Sequence, residues 1–495
     1  MSAPLVLGID AGQTAVKAVV HDATLRPVAT GRSVSPIDRS GDGYAERSHE
    51  ALWHAVRTAI AGALRRVDPA RIGAVAVSGH GDGLHLVDAA GRGVGPAITA
   101  MDSRARHEAD EIAADPARSA VILARSGQAS GASSPGALLL WAQRNRPEWI
   151  DAAQAMVFCK DVVRLRLTGD IVTDYSDATA SFLEVDAATW SQEVLDAYGV
   201  GGLGGLLPPL QGSAAPVGGV TRTAAEQTGL PEGVPVLTGL HDVQASSIGM
   251  GALRVGRLAC VAGSFNTNGV TTDRTDVDAR WQSRLSITPD LRIAMSTSST
   301  ASPTLDWALR LLGAQHSEDR DRLISASAAL APESETPVVL PFFAGSPAGL
   351  EASGTISGLR SWHGPEHLMR GVLEGIALMH HWHLSALAEA FDFTGDVALG
   401  GGISRSTHYA QLVADVLGRP VRVACEDEPG AFGAAALAAV HLGLVESMDA
   451  AQSLAQLDRP IFPDADHMRW QRKRMDFDEL IRANVPWWKE QSSAR

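Results

Sequence analysis

At 495 residues the chain is longer than one hydrophobic core supports, so two sizeable domains are expected. Hydrophobic residues make up 45% and charged residues 20%, ordinary globular usage that excludes a disordered chain. With 42 Lys+Arg against 56 Asp+Glu the formal net charge is −14, which argues against nucleic acids and anionic membranes as partners but allows an anionic small molecule in a locally positive site.

No basic region or long apolar stretch precedes Asp10, so no cleavable signal is expected. No window approaches the roughly 18 consecutive apolar residues of a membrane helix. Leu5-Val6-Leu7-Gly8-Ile9-Asp10 reads as a buried strand, Ala11-Gly12-Gln13 as a tight turn, and Thr14 to Val20 as a returning strand with Val16 and Lys17 on opposite faces. Asp22-Ala23 turns the chain into a third strand from Arg26. Leu52, Val56, Ile60 and Leu64 recur every four residues, predicting a helix over 48–64. Gly73–Ser78 reads as a strand, interrupted by Gly79-His80-Gly81-Asp82-Gly83 and resuming at Leu84. Strands feeding helices indicate an α/β chain.

The three cysteines, Cys159, Cys260 and Cys425, lie far apart and form no paired metal or redox spacing, so buried thiols in a cytoplasmic protein are expected. Residues 199–219, rich in glycine and proline, read as a loop or linker. Strand 234–238 leads into Gly239-Leu240-His241-Asp242. Arg257–Ala262, the turn Gly263-Ser264-Phe265-Asn266-Thr267 and the strand 268–272 then repeat the opening, suggesting two related halves with a border near residues 240–255. The domains are placed at 1–245 and 246–495. Val397-Ala398-Leu399 runs into Gly400-Gly401-Gly402 and a helix ended by Gly418 and Pro420, an arrangement in which backbone N–H groups and a helix N-terminus can receive phosphate.

A carboxylate at a strand end such as Asp10 can hold Mg²⁺ through water, while Gly12, Thr14 and Lys17 offer backbone, hydroxyl and mobile charge to a phosphate. The same residues also make an ordinary hairpin turn. Lys17, Lys160, Lys473 and Lys489 are the only lysines and none follows a glycine, so a Walker P-loop is impossible. Asp242, after a strand, could take a proton from a substrate hydroxyl or simply cap a helix. Asp82 and Asp102 lie in polar loops suited to hydroxyl groups or to capping turns. His380, His381 and His383 share a helix but lack the i, i+4 pair of a zinc helix. Trp487-Trp488 reads as packing or a partner contact.

Together these segments resemble the FGGY family of carbohydrate kinases across nearly the whole chain. Gly8-Ile9-Asp10-Ala11-Gly12-Gln13-Thr14 looks like the family's first phosphate loop, with Gln13 where threonine or serine is usual. Gly263-Ser264-Phe265-Asn266-Thr267 is similar to the second. Asp242 falls at the catalytic base. The segment 354–375, ending Leu373-Glu374-Gly375, is close to a family signature, with Gly371 for the usual alanine or serine. Gly400-Gly401-Gly402-Ile403-Ser404-Arg405-Ser406 followed by Ala414–Pro420 resembles the adenosine segment, and Phe158-Cys159-Lys160-Asp161 with Arg166-Leu167-Thr168-Gly169 also matches.

The resemblance implies two ribonuclease-H-like domains of the actin/hexokinase type, the first carrying the sugar site and the second the adenosine site, around a cleft that closes on sugar. It implies ATP and Mg²⁺, with the metal near Asp10 and Asp242. The phosphates would meet Gly12, Gln13, Thr14, Lys17, Gly263 and Ser264, and the adenosine Gly401, Gly402 and Ser404. The sugar would meet Gly81, Asp82, Asp102, Asp161 and Asp242. The loop 79–83 is nearer to L-xylulose (3-keto-L-gulonate) and erythritol kinases than to xylulokinase, which has histidine at the place of Asp82. The expected activity is ATP-dependent phosphorylation of a terminal hydroxyl on a small sugar or polyol, a pentulose such as xylulose or L-xylulose foremost. Erythritol and other polyol kinases, a non-catalytic actin-like nucleotide switch and an acyl-phosphate kinase are the alternatives. A homodimer is one assembly left open.

Overall fold

The computed structural model describes residues 3–39, 43–331, 334–345, 347, 352–464 and 467–493. Its first sheet is built on the strand Leu5–Ala11, buried on both faces as its unbroken apolar run requires. This strand pairs antiparallel with Ala15–His21, which pairs antiparallel with Pro27–Val34. On its other edge lie Ile72–Gly79, parallel, then Pro235–Leu237, parallel, and Pro216–Gly219 at the border.

The second sheet follows the same plan. Leu258–Ala262 pairs antiparallel with Asn266–Thr272, and that strand with Arg292–Ser298, while Val397–Gly400 and Val421–Val423 extend the other edge in parallel. Gln282–Leu285 adds one more strand beyond Arg292–Ser298. Two sheets of equal strand order make two ribonuclease-H-like units of the actin/hexokinase type, and the repeated hairpin in the sequence is the visible part of that duplication.

Helices cover both faces of the first sheet and one face of the second, whose other face lines a cavity. His49–Leu64, capped by the Ser48 hydroxyl accepting from the Ala51 N–H, packs against Pro27–Val34. A Cβ on Gly31 would lie 1.9 Å from the Ala59 carbonyl oxygen, so only glycine allows that approach. The opposite face is covered by Asp242–Gly249 and by Pro429–His441, which belongs to the second half of the chain. This alanine-rich helix sits so close that a Cβ on Gly8 would lie 2.0 Å from the Ala431 oxygen and one on Gly433 2.1 Å from the Ala245 oxygen. Small residues at both crossings place the helix N-terminus at the end of the Leu5–Ala11 strand.

Over the second sheet lies Pro365–Leu387, which carries the family-like signature. Gly371 and Gly375 let it meet strand Val338–Leu340, since Cβ atoms there would lie 2.5 Å from the Pro337 oxygen and 2.3 Å from the Val339 oxygen. Glu374 is buried in ion pairs with Arg370 and Lys473, so the signature is a packing feature of this unit.

Two expectations are corrected, and the Trp487-Trp488 pair divides between packing and exposure. Residues 199–219 are not a linker: they form a 3₁₀ helix, Gly201–Leu206, and two short strands, one of which borders the first sheet. Cys159 and Cys260 are buried, but Cys425 is exposed. Trp488 is packed against Phe342, whereas Trp487 is half exposed. Among the described residues no helix is long and apolar enough to cross a membrane.

Candidate active site

The two equivalent hairpins turn toward the same cleft. Gly12, Gln13 and Thr14 of the first turn and Gly263, Ser264 and Phe265 of the second line one cavity of about 490 Å³, together with Gly81, Asp82 and Asp242. It joins a larger cavity of about 850 Å³ lined by Asp10, Gly400, Gly401, Gly402 and Ser404, and Lys17, Ser246, Met250 and Val261 border both. Thr14 and Ser264 stand exposed at the turn tips, free to offer hydroxyl groups.

Asp10 is carried to the cleft by the register of the central strand, where it faces Lys17 across the hairpin and Ser78 in the parallel neighbour. The Ser78 hydroxyl lies 3.3 Å from Asp10 Oδ1, and Lys17 Nζ lies 3.7 Å from Oδ2. Burial raises the Asp10 pKa, and Lys17 only partly offsets that effect. Lys17 Nζ also lies 2.5 Å from Glu428 Oε2, just before helix Pro429–His441. Gly430 opens that helix next to Asp10, where a Cβ would lie 3.0 Å from the carboxyl carbon. Asp10 and the helix N-terminus thus meet at one spot, a carboxylate for a cation beside N–H groups for phosphate.

In the larger cavity, Gly401 has φ +95° and its Cβ would lie 2.4 Å from the Ala262 oxygen, so the loop needs glycine there. Gly402 has nothing within 4 Å of such a position, which leaves its face open to a ligand. The buried Ser404 hydroxyl donates to the Gly401 oxygen at 2.7 Å and braces the loop from behind.

Asp242 is the first residue of its helix, with His241 in the cap position, and its side chain caps nothing. It remains 32% exposed in the cleft. Crowding by protein raises its pKa to about 6, with the charges of Asp10, Asp177 and Asp82 adding to the rise and His241 opposing it. Behind it runs a buried polar chain: Asp242 Oδ1 lies 3.2 Å from His241 Nε2, His241 Nδ1 lies 2.9 Å from Asp177 Oδ1, and Asp177 Oδ2 lies 3.1 Å from Lys160 Nζ. Burial opposes charge on His241, but the hydrogen bond to Asp177 and the two carboxylates outweigh it and hold its pKa above the usual imidazole value. Gly81 presses flat on this pair, since a Cβ there would lie 2.1 Å from His241 Nδ1.

Asp82 reaches across the cleft. Its Oδ1 accepts from Arg284 Nη2 at 3.0 Å, joining a first-unit loop to a second-unit strand, and Gln128 Oε1 accepts from the same guanidinium. Asp102 and Asp161, expected at the sugar, are not brought to the cleft. Asp102 is buried against Arg104 Nε at 2.9 Å and accepts from the Ala45 N–H at 2.7 Å. Asp161 lies buried 2.6 Å from Lys160 Nζ and accepts from the Phe158 N–H, so the Lys160-Asp161 segment supports Asp177 rather than lining the cavity.

The structure adds Glu428, His241, Asp177 and Arg284 to the site. Only His241 carried a sequence signal, its adjacency to Asp242. A buried cluster of His80, His85 and Cys159 has ligand atoms within 4.8 Å of one another, but Arg47 lies 3.2 Å from His80 Nε2 and 3.7 Å from the Cys159 sulfur, so a guanidinium already faces it. His380 and His383 are buried and satisfied by Asn268, Tyr409, Ser296 and Ser298.

The chain matches the models for the N-terminal domain of the FGGY family of carbohydrate kinases over residues 5–249 and for its C-terminal domain over residues 258–442. It is 29% identical to the L-xylulose/3-keto-L-gulonate kinase of Escherichia coli K12, covering 96% of each chain, and 28% identical to the xylulose kinase of the same organism, covering 97% and 99%. The crystal structure of xylulose kinase from Rhodospirillum rubrum superposes with a TM-score of 0.89 at 26% identity, covering 98% of this chain and all of that one. Twin sheets, paired hairpin turns facing one cleft and matched models across both units agree: the chain belongs to the FGGY family of carbohydrate kinases.

Proposed function

We propose that this carbohydrate kinase transfers the γ-phosphate of ATP to a hydroxyl of a pentulose such as xylulose or L-xylulose, with Asp242 as the base. The observation that carries the reading is the convergence of Asp242 and both hairpin turns on one cavity that opens into the glycine-lined cavity beside Asp10. The likeness to L-xylulose and xylulose kinases supports the pentulose. Adenosine would lie against Gly401 and Gly402, with its phosphates running past Lys17 toward Thr14 and Ser264. The sugar would lie between Asp82 and Asp242.

Asp242 takes the hydroxyl proton as that oxygen bonds to the γ-phosphorus, and the bond from phosphorus to the β-phosphate oxygen breaks to release ADP. Asp10, buried with its charge only partly balanced by Lys17, and Asp242 suit a divalent cation. Mg²⁺ bound there would supply charge neutralisation at the phosphates. Closure of the two units would exclude water that otherwise competes for the phosphoryl group. A cytoplasmic location belongs to the same proposal.

ADP release measured over pentuloses, tetritols and hexuronate-derived ketoses tests it. The highest kcat/KM is expected on a pentulose. Preference for erythritol would move the acceptor to polyols, and no sugar-dependent release would leave a nucleotide switch.

A further inference from the structure

We propose that His241 is a positioning residue for phosphoryl transfer, aiming the Asp242 carboxylate through Nε2 while Asp177 and Lys160 lock the imidazole through Nδ1. The inference rests on the reading of Asp242 as the base. A carboxylate on the first residue of a helix, with no capping bond, has several rotamers open to it, and a base works only within hydrogen-bond reach of the proton it takes. The contact between His241 Nε2 and Asp242 Oδ1 at 3.2 Å selects one rotamer and leaves the second oxygen for the alcohol.

The imidazole cannot turn away. Its Nδ1 is bound to Asp177 Oδ1 at 2.9 Å, its side chain is 4% exposed, and the Gly81 backbone closes over it. The His241 backbone N–H donates to the Ser176 hydroxyl at 2.9 Å. Asp177 is fixed in turn by Lys160 at 3.1 Å, a lysine with no solvent exposure that also holds Asp161 and Asp174. Four residues from three separate segments thus form a rigid strut that ends at the base, and such support is what keeps a catalytic group within its working geometry.

Two substitutions of similar size separate the ends of the strut. His241→Gln can place an amide near Nε2 and keep the contact with Asp242; His241→Asn can place one near Nδ1 and keep the bond to Asp177. Steady-state kinetics with ATP and the preferred sugar are measured for both, beside Asp242→Asn. His241→Asn is expected to lower kcat by roughly 10–100-fold with both KM values within about twofold, and His241→Gln to restore most of that loss. The opposite order, with Asn active and Gln inactive, would make His241 a bolt for the Asp177 loop and overturn the proposal; equal turnover in both would also overturn it. Should His241→Asn fail to fold, Asp177→Asn carries the test: a fall in kcat at constant KM supports the strut and an unchanged kcat overturns it. If Asp242→Asn itself retains turnover, the base assignment fails, and this is read separately from the His241 pair.

Discussion

Asp242→Asn tests the site in two independent quantities. As the base, the carboxylate is worth roughly 10²–10⁴-fold in turnover, so the variant should lose that much kcat while still binding nucleotide. The same charge is costly to the fold. Its pKa stands near 6 against a usual 3.8, a shift of about two units that corresponds to at most about 3 kcal/mol above pH 6. A side chain 32% exposed is partly screened, which reduces the figure to about 1–1.5 kcal/mol. The sign follows from the raised pKa. The penalty is full when the native carboxyl is ionised, above about 6, fades as pH falls through the unfolded value of 3.8, and is gone below it, where both folded and unfolded forms are protonated. Denaturant melts at about pH 8 should therefore find the variant more stable by about 1 kcal/mol, with the gain shrinking toward about pH 4. An inactive variant with a pH-independent stability change would refute the electrostatic account, and a variant with near-normal turnover would refute the base.

For the wild-type enzyme, kcat/KM should rise as pH passes through about 6, where Asp242 becomes able to accept a proton, and a profile flat from pH 5 to 7 would contradict this. Gly401→Ala forces a side chain into positive φ and to within 2.4 Å of the Ala262 oxygen, so isothermal titration should find nucleotide affinity reduced at least about tenfold with sugar affinity retained. His21 and His49 have pKa values near 4, and His80, His380 and His383 near 3, because burial disfavours their charged forms. Each should therefore withdraw about 1.4 kcal/mol of stability by about pH 5.5, as the unfolded imidazoles take up protons that the folded ones refuse. Together these approach the whole stability of a typical domain, so melting temperatures that stay level down to pH 5 would show that the imidazoles can charge in place.

Local chemistry is where the sequence speaks directly. The apolar run ending in Asp10, its repeat at Leu258–Ala262, the helix over 48–64 and the left-handed cap at Gly418 are each settled by neighbours a few residues away, and each takes the expected form. The glycines of the turns and of 400–402 are legible for the same reason, since a missing side chain is a local fact whatever surrounds it. Aspartates are different. Asp82, Asp102 and Asp161 look alike in sequence, each a carboxylate near a strand or helix end, yet one spans the cleft to Arg284 and two are buried in ion pairs. Lys17 with Glu428, Asp177 with His241 and Asp82 with Arg284 join segments remote in the chain, brought together only when the sheets pack. By itself the sequence determined the two hairpins and their glycines, and it singled out the Asp242 proposed here as the base. The tertiary structure decided which charges neutralise one another and which remain for substrate, because a carboxylate's role depends on the cation folding brings within about 4 Å, and periodicity along a chain does not encode that distance.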